Sequence, residues 1–253
     1  MNKISIITVC YNCKNDIEKT ILSVINQTYT NIEYIVIDGA STDGTLDIIN
    51  KYKLQISIII SEPDKGIYDA MNKGIALATG EWINFMNAGD TFYNNTVLDE
   101  VFSNKQYSAD IIYGHVEYDY GFTKVIKKPA PINSIIHYMG FSHQSTFVKT
   151  HIMKTHPYNL HYKIIADYEF FLSRYKEGYT FKEIPNIIAT YERANGISSG
   201  NNFKQYKKHI EELDRLGVLR QNKTIIYTKY LIKSYIKNLL PLRLLSIFYK
   251  KSK

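Results

Sequence analysis

Four short apolar runs alternate with helical patterns over the first ninety residues, and that alternation limits the possible folds more than any other feature. Ile4–Cys10, Ile32–Asp38, Ile56–Ser61 and Trp82–Met86 are rich in β-branched residues and bounded by polar or glycine-containing turns, as buried strands are. Between them, Asp16–Asn26, Thr42–Tyr52 and Ile67–Ala78 space their apolar residues for helices; Ile17, Ile21, Val24 and Ile25 are one example. Successive strand–helix–strand units with right-handed crossovers build a mostly parallel sheet, so the expected class is α/β. No repeat of fixed period is present.

After Asp90 the pattern loosens. Thr96–Phe102 reads as a helix, Ile111–Tyr118 with Phe122–Lys127 as a hairpin, and the segment around Pro129 and Pro131 as loop. A helix is expected over Asp167–Tyr175, a strand over Phe181–Tyr191, and helices over Asn202–Leu216 and the tail, where Pro241 interrupts. The expected organisation is one domain over residues 1–200 and a helical appendage over 201–253.

The net charge of +7 does not signal a nucleic-acid binder. Residues 222–253 carry eight cations and no acid, which leaves 23 basic against 24 acidic residues in the body. A general nucleic-acid binder needs its basic patch on the body. Cys10 and Cys13 are too few for a disulfide framework, the start lacks a signal-peptide cleavage pattern, and no run offers about 20 apolar residues. A cytoplasmic protein is expected.

In an open parallel sheet, ligands bind beyond the carboxyl ends of the strands. Here those ends carry Tyr11-Asn12, then Asp38 with the Gly39–Gly44 turn, then Glu62-Pro-Asp64-Lys65-Gly66, then Asn87-Ala-Gly-Asp90. Four polar, aromatic or acidic ends on one rim suggest a nucleotide-sized site. Gly39 to Gly44 has the spacing of a triphosphate loop, but Thr45 stands where lysine is required, and no Gly-x-Gly-x-x-Gly follows the first strand. A diphosphate would therefore need another counter-charge, such as a divalent cation held by Asp90.

These motifs, Ile7-Thr-Val-Cys-Tyr11-Asn12, Asp38–Gly44, Glu62–Gly66 with Asn72-Lys-Gly74, and Asn87–Asp90, resemble a family-2 glycosyltransferase of the GT-A fold; the likeness continues through His143-Gln144 and Asp167 to about Gly200. The resemblance implies a Rossmann-like αβα sandwich, residues 1–90 as its nucleotide-binding half and 91–200 as its acceptor-side half. It implies an inverting transferase using a nucleotide-diphosphate sugar, with members in bacterial polysaccharide synthesis. Tyr11 would then stack on the base with Asn12 beside it; the alternative is a core tyrosine at a strand end. Asp38 would accept a base N–H, which favours a pyrimidine and UDP, or else only form its turn. Asp64 and Lys65 would hold base or ribose, or line a solvated turn.

Asp90 matches the last acid of the family's metal motif and would bind Mn2+ or Mg2+. Asn87 replaces the first acid and, being neutral, would bond a ribose hydroxyl or a metal-bound water instead. Asp167 aligns with the family's general base at a helix start, with Ala166 where many relatives carry a second acid and Glu169 as competitor. His143 and Gln144 would lie near acceptor or sugar, with a structural histidine as the bland alternative, and Arg193 would meet the diphosphate. Two other classes compete: a nucleotide-sugar-binding protein without turnover, and a thiol redox protein using Cys10 and Cys13.

In the tail, Lys229, Lys233 and Lys237 form an i, i+4 stripe amid Ile225, Ile226, Leu231, Ile232, Ile236, Leu239 and Leu240. A basic amphipathic helix suits an anionic membrane surface, which would place the protein peripherally on the cytoplasmic face of the inner membrane beside a glycan or lipid-linked acceptor. The alternative is a helix packed on its own domain or on a second protomer of a homo-oligomer. Deleting residues 222–253 is expected to shift the protein out of the floating fraction when it is centrifuged with anionic vesicles; an unchanged distribution would count against the membrane role.

Overall fold

A strand covered on both faces must be apolar on both, and β1 (Ile4–Cys10) obeys that rule by alternation. Ile4, Ile6 and Cys10 enter one core with Tyr34 and Val36 of β2 (Ile32–Asp38), whereas Ile7 and Val9 enter a second with Ile35 and Ile37. The computed structural model describes residues 2–192, 203–228 and 231. The first core is closed by α1 (Ile17–Ile25), α2 (Thr45–Lys51) and α4 (Val97–Phe102). The second is closed by α3 (Ile67–Leu77), α5 (Thr150–Thr155), α6 (Ala166–Lys176) and α7 (Phe203–Arg215). This is the expected αβα arrangement.

The remaining strands are β3 (Ile58–Ser61), β4 (Trp82–Phe85), β5 (Thr91–Phe92), β6 (Ile111–Asp119), β7 (Lys124–Lys127), β8 (Thr146–Lys149) and β9 (Phe181–Glu192). The sheet order is β3-β2-β1-β4-β8-β6-β9-β5, with β7 paired to β6. Strands β1 to β4 are parallel throughout, and β6 pairs in parallel with β9; β8 sits antiparallel between β4 and β6. The chain leaves β1 toward β2 and β3, then returns through α3 to β4 on the opposite side of β1. The order reverses there, so the crevice between the carboxyl ends of β1 and β4 is a topological switch point.

Several boundaries differ from the sequence reading for local reasons. α2 starts at Thr45 rather than Thr42, because Asp43 Oδ1 accepts the Thr45 N–H at 2.9 Å and Gly44 takes φ +96°. β5, β8 and α5 were not foreseen. Each spans six residues or fewer, too short to show a period, and two of them exist only as partners of other strands. The segment read as loop also contains 3-10 turns at Ile132–Ile136 and His143–Ser145. Asn84 of β4 fixes the second turn by donating to Gln144 O at 2.9 Å and Thr146 O at 3.0 Å.

α3 approaches β1 closely at Gly74, where an added Cβ would sit 2.5 Å from Ile7 Cγ2. α7 docks by a polar contact: the buried Glu212 carboxylate accepts the N–H groups of Lys163, Ile164 and Ile165 at 2.8, 2.9 and 3.2 Å. Among the described residues no helix is long and apolar enough to cross a membrane. The stripe Lys229, Lys233 and Lys237 lies outside the described residues.

At the opposite end of the sheet, Glu33 accepts from Lys3 Nζ (2.8 Å), Ser5 Oγ (2.6 Å) and the Thr79 N–H (2.6 Å). Burial raises its pKa, but these donors outweigh burial and hold it at about 2. A depressed carboxylate stabilises the fold above its unfolded pKa, near 4.5, and the contribution fades as pH falls toward 2. Glu33→Gln is expected to cost about 2 kcal/mol at pH 7, discounting for the solvated Lys3, and little at about pH 2 and below. Urea unfolding at both pH values checks this; equal losses would contradict it.

Candidate active site

The loops after β1, β2 and β3 are laced together at the switch point. Asn12, held at φ +46°, accepts the Thr42 N–H on Oδ1 at 2.9 Å and donates its own N–H to Ser41 Oγ at 2.8 Å. Asp38 is fully buried beneath this turn, where it accepts the Ser41 N–H (3.1 Å), the Ser41 hydroxyl and the Ser61 hydroxyl (2.6 Å). Both carboxylate oxygens thus hold protein donors beneath the turn. Gly39 allows a close approach: an added Cβ would lie 2.5 Å from Asp64 Oδ2 and 3.2 Å from Tyr11 Cδ2. Tyr11 is 65% exposed above this platform, which removes the core-tyrosine alternative.

Lys65, next to Asp64, also borders a second space. With Tyr68, Leu160, Tyr162, Lys163 and Lys208 it lines a cavity of about 340 Å³ beside the start of α3. The cysteines lie under the β1 loop. Cys10 is buried, with Sγ 3.7 Å from Asp38 Oδ1, and its contact with Cys13, burial and the Asp38 charge all push its thiol up. The same contact lowers Cys13.

A continuous chain of side chains joins the end of β4 to α6 and α3. Asn87 Nδ2 lies 3.2 Å from His143 Nε2, and His143 Nδ1 lies 3.1 Å from Asp167 Oδ2. Tyr68 donates to Asp167 Oδ1 at 2.9 Å, as does the Tyr168 N–H. The network assigns the His143 proton to Nδ1, with Nε2 accepting from Asn87. Burial raises the Asp167 pKa, but His143 and Tyr68 outweigh it and hold the carboxyl below its ordinary value. Asp167 therefore stays ionised at neutral pH with 17% of its side chain open. Oδ1 already takes two donors and Oδ2 one, so the free lone pair belongs to Oδ2. Glu169 bonds Ser173 one turn along the helix instead.

Asp90 lies in the opposite electrostatic setting. Burial pushes its pKa up to about 6, against the Gln144 Nε2 donor at 3.0 Å and the nearby His143. Asn87 Oδ1 is buried without a hydrogen-bond partner. The Asp90 carboxylate and the orphaned Asn87 Oδ1 are hard oxygen donors of the kind a divalent ion takes. No cluster of three acidic, histidine or cysteine ligands occurs among the described residues.

The structure thus gathers Tyr11, Asn12, Asp38 and Asp64 at one end of the rim and Asn87, Asp90, His143, Gln144 and Asp167 at the other. Lys65 is among the residues lining the cavity beside α3, and Arg193 lies outside the described residues. Sequence reasoning missed Tyr68, Ser41 and Ser61. Each belongs to a quoted motif or adjoins one, but nothing local marks a tyrosine on α3 as the partner of an acid on α6.

The model of the family described as Glycosyl transferase family 2 matches residues 5–169. A PGL/p-HBAD biosynthesis glycosyltransferase of Mycobacterium tuberculosis is 30% identical over 208 residues, 78% of this chain and 79% of that protein. The UDP-Glc:alpha-D-GlcNAc-diphosphoundecaprenol beta-1,3-glucosyltransferase WfaP of Escherichia coli is 29% identical over 94% of this chain and 96% of its own. Among solved structures, S. aureus TarS 1–349 in complex with UDP superposes with a TM-score of 0.65 at 19% identity, covering 83% of this chain and 65% of that one. Mannosyltransferase PcManGT from Pyrobaculum calidifontis, in complex with GDP-Man and Mn2+, gives 0.60 at 16% identity over 85% of this chain and 64% of its own. These structural likenesses establish the GT-A fold.

A raised carboxyl pKa favours the folded state below the unfolded value, near 3.8, and that advantage is lost as pH rises through about 6. Asp90→Asn is therefore expected to stabilise the free protein by about 1–3 kcal/mol at pH 7.5, with the gain vanishing below pH 4. Thermal melting across that range would expose the error if the variant were less stable at pH 7.5.

Proposed function

The chain belongs to glycosyl transferase family 2, and from that premise we propose that it moves one sugar, with inversion, from a UDP-sugar to a hydroxyl of a lipid-linked glycan acceptor in bacterial surface polysaccharide synthesis. The observation that carries this reading is the ionised Asp167, oriented by His143 and Tyr68 with one lone pair free. The acceptor hydroxyl gives its proton to Asp167 Oδ2 while its oxygen forms the new bond to the anomeric carbon. The bond from that carbon to the diphosphate oxygen breaks on the opposite face, which inverts the centre. Asn87 and His143 act by holding Asp167 ionised and aimed.

Tyr11 serves as the stacking platform for uracil, with Asn12, Asp38 and Asp64 shaping the pocket around it. Asp90 and Asn87 would hold Mn2+ or Mg2+, which would neutralise the departing diphosphate. Support for a lipid-linked acceptor comes from the substrate in WfaP's name and from the lysine-lined cavity beside Tyr68. Residues 1–200 would form the transferase domain, with 201–253 holding it peripherally on the membrane.

Asp167→Asn is expected to lower turnover by about 100-fold or more while leaving nucleotide binding intact, and Cys10→Ser to change turnover less than about twofold. Thermal melting with UDP, GDP, dTDP or CDP, each with and without Mn2+, locates the donor. Saturation at 100 times the dissociation constant adds about 2.7 kcal/mol. A Mn2+-dependent shift with UDP alone is expected. A shift with another nucleotide would reassign the donor; no shift at all, or full turnover in Asp167→Asn, would overturn the proposed chemistry.

A further inference from the structure

α7 lies beyond residue 169, where the family match ends, within the segment that the sequence sets apart as an appendage. Its Glu212 is nevertheless 3% exposed, and its carboxylate is satisfied by successive main-chain amides. Oε1 accepts from Lys163 at 2.8 Å, and Oε2 accepts from Ile164 at 2.9 Å and Ile165 at 3.2 Å. These residues lead into α6, whose N-cap, Ile165, offers no side-chain acceptor of its own. A helix start leaves amide donors unpaired, and an acid placed there also meets the positive end of the helix dipole. Glu212 thus holds, from another element, the three main-chain amides that lead into α6 and end at its N-cap residue.

The same segment is fixed from its other side. The Tyr68 hydroxyl lies 2.9 Å from Ile164 O and 2.9 Å from Asp167 Oδ1 and shares its single proton between these two acceptors. Glu212 holds the amides and Tyr68 holds a carbonyl of the short stretch immediately before Asp167. His209, one turn earlier on α7, is half-buried; burial lowers its pKa, and the charges of Asp167 and Glu212 oppose that shift. α7 therefore directs two titratable groups toward the region of the base.

We propose that Glu212 is a positioning residue for the transfer: through the 163–165 segment it sets Asp167 against the acceptor hydroxyl, making α7 a working part of the active site. The inference rests on Asp167 being the base. Glu212 touches neither substrate, so its loss changes the geometry of proton transfer and leaves the donor pocket at the ends of β1 to β3 unaltered.

Full-length Glu212→Gln, which keeps side-chain size and one acceptor, and Glu212→Ala are compared with wild type. Turnover is measured with whichever of UDP-glucose, UDP-galactose and UDP-N-acetylglucosamine is used fastest on an undecaprenyl-diphosphate-linked N-acetylglucosamine acceptor. A displacement of the order of 1 Å can cost about 100-fold, so kcat is expected to fall about 10-fold in Glu212→Gln and about 100-fold in Glu212→Ala. Donor KM and the melting shift with UDP should stay within about twofold of wild type. Amide exchange at residues 163–167 should rise at least about tenfold, a readout that needs no turnover.

If Glu212→Ala does not fold, Glu212→Gln decides. Unchanged exchange, a kcat within twofold of wild type, or a donor KM that rises in step with the fall in kcat would overturn the proposal. Asp167→Asn separates the two levels. If it retains wild-type turnover, the base assignment fails and the positioning role fails with it; if it is inert while the Glu212 variants turn over normally, the positioning role alone fails.

Discussion

The hydrogen-bond chain from Asn87 through His143 and Asp167 to Tyr68 ties four elements together around one buried charge. Taking a carboxylate out of water costs several kcal/mol unless donors replace its hydration. Asp167 finds those donors in the His143 ring, the Tyr68 hydroxyl and its neighbour's amide, and its lowered pKa records that they outweigh burial. Charge-assisted hydrogen bonds are directional, so this requirement fixes the turn after residue 142, the start of α6 and the start of α3 relative to β4. Asn84 reinforces the arrangement from within the sheet by holding the same turn through two carbonyls.

Asp90 shows what happens when burial outweighs the donors. It lies on the same rim and is more deeply buried, and the Gln144 amide, the Glu192 main-chain N–H and the charges of His143 and Lys19 do not offset that burial, so its pKa moves upward. Two acids in neighbouring settings thus carry opposite shifts: donors outweigh burial at Asp167, and burial outweighs donors at Asp90. The neutral Asn87 takes part in both, giving Nδ2 to His143 and keeping Oδ1 unpartnered. An acid at that position could not donate to His143 when ionised, so the amide suits this chain's histidine relay.

Much of the molecule was legible before the structure. Alternating apolar runs marked β1, β2 and β4 and α1 and α3 almost to the residue, because strands covered on both faces and helices covered on one leave strong local periods. The rule that ligands gather beyond the strand ends brought Tyr11, Asn12, Asp38, Asn87 and Asp90 to one rim correctly. The bulk of β8, α5 and the 3-10 turns was not legible, since segments of three to six residues have no period of their own. Tyr68, Ser41, Ser61 and Glu212 were missed for a related reason: each acts on a partner that the sequence does not announce.

The sequence by itself determined which residues form the parallel half of the sheet and which polar groups stand at its carboxyl edge, because burial and turn chemistry are written locally. Only the tertiary structure decided that Asp38 lies under its turn with both oxygens engaged, that Asp167 rather than Glu169 meets His143, and that a helix beyond the family match holds the amides leading into the one carrying Asp167. The physical reason is range. Periodicity reports the environment of a residue, whereas a hydrogen bond between groups 23 to 99 positions apart depends on strand order and helix docking, which no local pattern encodes.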